Sequence, residues 1–282
     1  MTNQVAQLIT HKGLDGLKAE IARALPQGMD AERVQRIVLT EVQRSKNMKE
    51  AGKAKDSLAD CTFDSFRGSL LTSCALGLEP GVSGESYLVP YRDNRRNVVE
   101  CQLIIGYQGF VKLFWNHPRS RGLDVRWVGE NDPVFEYSYG LHQDLRHVPA
   151  VGDRGRAIFF YAIVKVADAE PIMNVLSADE VKDLRRGKIG PSGEIKDPQR
   201  WMERKTVLRQ ALKLAPKTTR LDIAMRADEQ LGSELAANRS WSTRAGSPVL
   251  DGELVEAAAL GEGHSAYNAG MFTAEPEPVV AE

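Results

Sequence analysis

The stretch from Tyr87 to Trp115 restricts the fold more than any other part of the chain. Its first half alternates. In VVECQLII (98–105), Val99, Cys101, Leu103 and Ile105 share one face of an extended chain, the period-2 signature of a half-buried strand. YLVPY (87–91) reads as the partner strand and RDNRRN (92–97) as the turn of a hairpin. Pro90 has no N–H to give to a ladder, so it holds that strand at an edge. The second half changes period. Gly106-Tyr107-Gln108-Gly109 is a turn, and a helix over 107–116 follows it, with Lys112 one turn in. Strand, glycine turn, helix is also the arrangement at which many proteins hold a phosphate.

Helices are expected on either side of this unit. Residues 14–25 read as one, stopped by Pro26. Asp30 caps the next, in which Val34, Ile37, Val38 and Val42 recur at helical spacing. The polar run 46–60 reads as a mobile loop, and Asp64 as the cap of a third helix that ends at LGLEPG (76–81). Further strands are expected at 123–128, 133–139, 157–166 and 172–176. Asp197-Pro198 reads as N-cap and N1 of a strong helix to Ala215, and a last helix runs over about 219–236. Beyond Asn238 the composition turns to Gly, Ala, Ser, Glu and Pro. Residues 1–238 are thus expected to form one domain and 239–282 a disordered acidic tail.

Function classes narrow quickly. G-x-x-x-x-G-K-[ST] occurs nowhere, since Gly52-Lys53 and Gly187-Lys188 are followed by Ala and Ile. Without the hydroxyl for Mg2+ and the lysine for the β/γ phosphates, nucleoside triphosphate hydrolysis has no support. The 106–109 turn lacks the third glycine of G-x-G-x-x-G. Two readings of it stay open: Tyr107 plugs the core, or the helix start meets a phosphate with Tyr107 and Lys112 beside it. Cys61, Cys74 and Cys101 form no C-x-x-C, so neither zinc nor a disulfide framework is suggested. Residues 1–13 do not read as a signal peptide, and the longest apolar run, 157–164, is too short to span a bilayer.

Charge is unevenly placed. Residues 1–232 carry 35 Lys/Arg against 30 Asp/Glu, while 233–282 carry 2 against 8. Residues 185–226 alone hold twelve basic and four acidic residues. Arg185, Arg186 and Lys188 come first, then Lys196, Arg200, Arg204, Lys205, Arg209 and Lys213. On a helical wheel Lys205, Arg209 and Lys213 form one ridge at i, i+4, i+8. Only Glu203 lies within that helix, so the ridge is expected to face solvent unpaired. Arg200 and Arg204 border the apolar arc, where they either snorkel or wall a polyanion groove. Arg92, Arg95 and Arg96 cluster at the hairpin turn. Tyr91, Tyr107, Trp115, Trp127 and Trp201 are candidate platforms for stacked bases.

Enzymatic readings are weaker. Glu203-Arg-Lys205, with Asp197 upstream, has the E-x-K form of metal-dependent nucleases, but in a helix i and i+2 point about 200° apart. His142 and His147 sit in an expected loop at loose spacing, and Gly84-Glu-Ser86 is not a nucleophile elbow. No catalytic or metal-binding set is assigned.

The stretches ALPQGMDAERVQRIVLTE (24–41), SCALGLEPGVSGESYLVPY (73–91), QLIIGYQGFVKL (102–113) and WMERKTVLRQALKLAP (201–216) resemble the RecT family of phage single-stranded DNA annealing proteins, over about residues 20–235. The resemblance implies an α+β fold related to the single-strand annealing protein core, with a hairpin-bearing antiparallel sheet, flanking helices and a basic groove, assembled as a ring or helical filament. It implies pairing of complementary strands without ATP, alongside a phage 5′–3′ exonuclease and the host single-strand-binding protein, in the cytoplasm of the bacterial host and with no membrane partner. No cofactor is required on this reading, and Mg2+ would enter only with the DNA. The DNA contacts would come from Arg92, Arg95, Arg96, Tyr107, Lys112, Arg185, Arg186, Lys188, Lys196, Arg200, Trp201, Arg204, Lys205, Arg209 and Lys213. A metal-dependent nuclease and a structural oligomer without DNA function stand as the alternatives.

Overall fold

The computed structural model describes residues 11–94, 96–185 and 199–229. The fold is α+β. Helices α1 (His11–Ala24), α2 (Ala31–Glu50) and α3 (Phe63–Leu76) come first, then the antiparallel hairpin β1 (Ser86–Asp93) and β2 (Val98–Ile105). Helix α4 (Tyr107–Trp115) leads into a three-stranded antiparallel sheet, order β3 (Ser120–Gly129), β6 (Ala157–Val166), β7 (Ile172–Ser177). A second hairpin, β4 (Val134–Ser138) with β5 (Asp144–Val148), is inserted between β3 and β6. Helices α5 (Ala178–Arg185) and α6 (Trp201–Leu214) follow, and α7 occupies 219–229 in its described part. No helix among the described residues is long and apolar enough to cross a membrane.

Two apolar clusters hold these elements. The first joins α1, α2 and α3 to the distal part of the hairpin through Ile21, Val38, Phe66, Leu70, Val99 and Cys101. The second packs α4, α6 and α7 on one face of the sheet through Phe110, Leu113, Phe160, Ala162, Leu208 and Leu221. Strand β2 takes part in both, giving Val99 and Cys101 to one and Ile105 to the other. The hairpin is therefore the seam between the two clusters. On the opposite face of the sheet lies the β4–β5 hairpin, with Phe135 against Phe159 and Tyr161. The backbone N–H of Val175 donates to Tyr139 Oη at 2.9 Å and that of Met173 to Gln143 Oε1 at 3.2 Å, so this hairpin also covers the free edge of β7.

Local chemistry explains most boundaries. Asp30 accepts from the Glu32 N–H, as its N-cap position requires. Gly77, at φ 73°, closes α3 in the left-handed region, where a glycine carries no steric penalty. Four expectations are corrected. The run 46–60 is not one loop: α2 continues to Glu50, and Leu58–Asp60 form a 3-10 turn with Leu58 buried and Asp60 paired to Lys49. The segment is held by the buried Leu58 and Ala59, by the Leu58 N–H donating to Ser45 Oγ, and by the ion pairs Lys49–Asp60 and Arg92–Asp56. The residue capping α3 is Thr62, and Asp64 lies inside the first turn. Residues 142–147 are not all loop, since β5 begins at Asp144. Finally, α6 starts at Trp201 with Arg200 before it in the left-handed region (φ 54°), while Asp197 and Pro198 lie outside the described residues.

Candidate nucleic-acid interface

The glycine turn has a mechanical role. A Cβ on Gly106 would come within 1.9 Å of the Gly84 carbonyl oxygen, and one on Gly109 within 2.1 Å of that of Glu85. Both glycines therefore let the first turn of α4 lie directly on the 84–85 backbone, fastened by Gly106 N–H donating to the Glu85 carbonyl at 2.9 Å. The same packing directs Lys112 to Glu85, at 2.7 and 2.9 Å from its two carboxylate oxygens. Glu85 also accepts from the Glu79 N–H, and Glu79 in turn takes a two-pronged bond from Arg33. LGLEPG and the glycine turn are thus two sides of one clamp.

Tyr107 emerges from that clamp half-buried, with its ring centroid 5.0 Å from that of Trp201. Burial pushes its hydroxyl above the usual tyrosine range, opposed by the nearby Arg204. The first reading of the turn holds, since Tyr107 packs against the core; of the groups the phosphate reading names, the Gly106 N–H is given to the Glu85 carbonyl and Lys112 to the Glu85 carboxylate. Trp201 opens α6, and the Arg204 guanidinium lies over its ring at 5.3 Å. Arg200 stands 5.0 Å from the ring centre of Trp127 on β3, and Arg154 lies over the same ring at 3.8 Å. Arg126, next along β3, is exposed and pairs with Asp124 at 2.8 Å. Three half-buried rings and three guanidiniums, those of Arg154, Arg200 and Arg204, thus converge where the N-termini of α4 and α6 meet the C-terminal half of β3, while Arg126 alternates to the other face of the strand.

Trp127 is held from beneath. The Asp132 carboxylate is fully buried and accepts from Arg154 (2.6 and 2.9 Å), from the backbone of Gly129 (2.7 Å) and Ala150 (2.8 Å), and from His147 Nε2 (2.9 Å). First the Arg154 guanidinium, then the N–H donors, hold Asp132 well below the usual carboxylate range against the opposing effect of burial. In the neutral ring this leaves His147 Nδ1 to accept from the Tyr161 hydroxyl at 3.1 Å. Arg154 also donates to the Trp127 carbonyl at 2.7 Å, so one side chain fixes both the backbone and the ring of Trp127. Neither Arg126, Arg154 nor Asp132 was among the sequence candidates. Arg126 could have been found from its place beside Trp127, whereas Arg154 reaches the ring only because Gly129 lets its loop cross β3, and no local pattern announces that.

The other candidates are placed differently. The ridge expected to face solvent does not: Lys205 is buried and 2.6 Å from Asp228, Arg209 is 2.9 Å from the same carboxylate, and Lys213 is 2.9 Å from Glu229. The acidic partners come from α7, some twenty residues along the chain, and a wheel drawn for α6 alone omits them. Burial lowers the Lys205 ammonium from the usual lysine range, opposed by Asp228. Arg185 is 3.4 Å from Glu203. At the hairpin, Arg92 pairs with Asp56 and Arg96 with both Asp93 and Glu100, while Arg95 lies outside the described residues. Arg186, Lys188 and Lys196 lie outside them as well. Glu203 and Lys205 turn to different partners, so they do not converge on a common metal position, and no group of three His, Cys, Asp or Glu among the described residues is placed to hold one. Cys61, Cys74 and Cys101 are all buried thiols.

Ring faces and guanidiniums gathered on one surface are the chemistry that would meet a polyanion with π-faces, such as a single-stranded nucleic acid. The RecT family model matches residues 32–240, and Protein RecT of Escherichia coli (strain K12) is 29% identical over 218 residues, 76% of this chain and 77% of that protein. The chain belongs to the RecT family. With that membership goes a single-strand annealing role in DNA recombination.

Proposed function

We propose that the chain binds single-stranded DNA without sequence choice and pairs complementary strands without a nucleoside triphosphate. It does so as a homo-oligomeric ring or filament in the bacterial cytoplasm, together with a 5′–3′ exonuclease and the host's single-strand-binding protein. One observation carries the reading: Tyr107, Trp127 and Trp201 are interleaved with Arg154, Arg200 and Arg204. Phosphates release counterions as guanidiniums replace them, which gives affinity without sequence readout. Bases stack on ring faces and leave their pairing edges open to a second strand. In the free protein Arg200 and Arg204 cover the rings. On binding they exchange a ring face for a phosphate, and a base takes the vacated face. Stacking in the product duplex gives about 1.4 kcal/mol per base-pair step, so pairing proceeds downhill without ATP. Mg2+ has no protein site in this scheme and enters only as a counterion of the DNA. The outer edge of β1, where Pro90 interrupts the row of donors, is the strand offered to a neighbouring subunit.

The test is the salt dependence of binding to an oligothymidine. Replacing Arg200 and Arg204 by Ala lowers the slope of log K against log salt by about 1.4, some 0.7 for each phosphate that the protein no longer neutralises. A folded double variant with the parent's slope would show that these guanidiniums serve the aromatic cluster alone.

A further inference from the structure

Helix α2 buries one side, through Val34, Val38 and Val42, in the first apolar cluster. Away from that side an open groove of about 720 Å³ runs along the helix from Leu39 to Lys53. Leu39, Met48 and Ala51 give it apolar lining. Its polar side chains are already engaged: Gln43 Nε2 donates to Asn47 Oδ1 at 2.8 Å, and the Thr40 hydroxyl to the Arg36 carbonyl at 2.9 Å. Gly52, at φ 70°, folds the chain back at the helix end, and the Lys53 N–H donates to the Met48 carbonyl at 2.9 Å. That turn sets Lys53 at one end of the groove.

The groove is cationic along its length. Arg36 stands one turn before Thr40 on the same side of α2, Arg44 lies midway, and Lys53 closes the far end. Arg36 and Lys53 are exposed, and among the described residues neither lies within 4.0 Å of a carboxylate. Arg44 is 3.8 Å from Glu41, whose carboxylate is turned against Gly81, where an added Cβ would meet it at 2.4 Å. No ring lines this groove, so it offers a nucleic acid no face on which to stack. An apolar channel flanked by cations fits an acidic segment that has an apolar side.

The chain carries such a segment. Residues 251–262 (DGELVEAAALGE) hold four acidic residues and no basic one. At helical spacing Leu254, Val255, Ala258 and Ala259 fall on one side, and Glu253 and Glu256 on the other. Twelve residues at helical rise cover about 18 Å, the span of α2 from Leu39 to Ala51. From residue 229 to residue 251 the chain reaches at most about 75 Å, against a radius of gyration of about 17 Å for a folded body of this size. We propose that the α2 groove is the docking site of this chain's own segment 251–262, with Leu254 and Val255 against Leu39 and Met48 and the glutamates facing Arg36, Arg44 and Lys53. The contact needs no DNA and leaves the aromatic face uncovered.

Amide hydrogen exchange in the full-length protein, without DNA, tests this. Amides of 254–260 exchange more slowly than in an isolated peptide of the same sequence. Arg36→Glu with Lys53→Glu, which melts as the parent does, lowers that protection by about 2- to 30-fold, the value of two exposed charge pairs. Glu253→Lys with Glu256→Lys lowers it by a similar factor without touching α2. All four substitutions together restore part of it. Exchange of 254–260 in the parent at the rate of the isolated peptide would overturn the proposal. So would protection that survives reversal of either set of charges, since the segment would then dock elsewhere.

Discussion

Asp132 shows what a single side chain contributes here. Its carboxylate takes five donors in a site without solvent, and it anchors the arginine that supports Trp127. Breaking such a pair leaves a buried partner uncompensated, at a cost of about 3–5 kcal/mol. Asp132→Asn is therefore expected to lower stability at neutral pH by that order, read from urea unfolding. The sign with pH follows from the depressed carboxyl. Its contribution is complete above the unfolded value near ~3.9 and is lost as pH falls from there towards the folded value. The parent and Asn curves should thus converge in acid, and curves that stay parallel from neutral pH into acid would exclude the linkage. Trp201 belongs to the surface instead: Trp201→Ala should weaken oligothymidine binding by roughly 1–3 kcal/mol, the value of one stacked base, while circular dichroism keeps the parent's helix content. Lys205 reads as a phosphate contact on a helical wheel but holds α6 to α7. Lys205→Ala should cost about 3 kcal/mol in unfolding and leave the salt slope of binding unchanged. A stable variant with a lower slope would return Lys205 to the interface.

Elements were legible in proportion to how local their causes are. The β1–β2 hairpin, α4, β6 and β7 follow from periodicity within their own residues, and the structure has them within a few positions of expectation. What sequence missed depends on partners far along the chain. β5 is a short strand with one half-buried position in two, ordered by the sheet it lies on. The carboxylates that consume the α6 ridge are on α7, and the loop that delivers Arg154 crosses β3 only at Gly129. Of the proposed interface, Arg200, Trp201 and Arg204 were visible because they lie on or beside the apolar arc at the start of α6, and Tyr107 because it follows the glycine turn that opens α4. The clamp between α4 and the 84–85 segment gives the sharpest prediction at this scale. Gly109→Ala places a methyl 2.1 Å from the Glu85 carbonyl oxygen, so either α4 or the 84–85 segment has to move. An overpacked contact of this kind costs about 1–3 kcal/mol, and binding should fall with it because Tyr107 is displaced. Unchanged stability and binding in Gly109→Ala would mean that the close approach has no role.

Among the described residues two apolar clusters share one hairpin strand, and the proposed interface borders the second of them. On the proposed reading, that division leaves α1, α2, α3 and the outer edge of β1 for contacts between subunits, while α4, α6 and β3 would meet the strand. The acidic composition of 233–282, with 8 Asp/Glu against 2 Lys/Arg, opposes DNA binding. Truncation after Asn238 is therefore expected to leave annealing of bare oligonucleotides intact and to affect only reactions on strands coated with the host's binding protein. The central claim, that this cationic, aromatic face pairs strands by binding energy alone, is tested most directly by mixing complementary fluorescent oligonucleotides with the protein in the absence of any nucleotide. The account predicts pairing well above the protein-free rate, unaffected by added ATP and strongly reduced in the Arg200→Ala, Arg204→Ala protein. Pairing that requires ATP, or that proceeds at the full rate in the folded double variant, would contradict it.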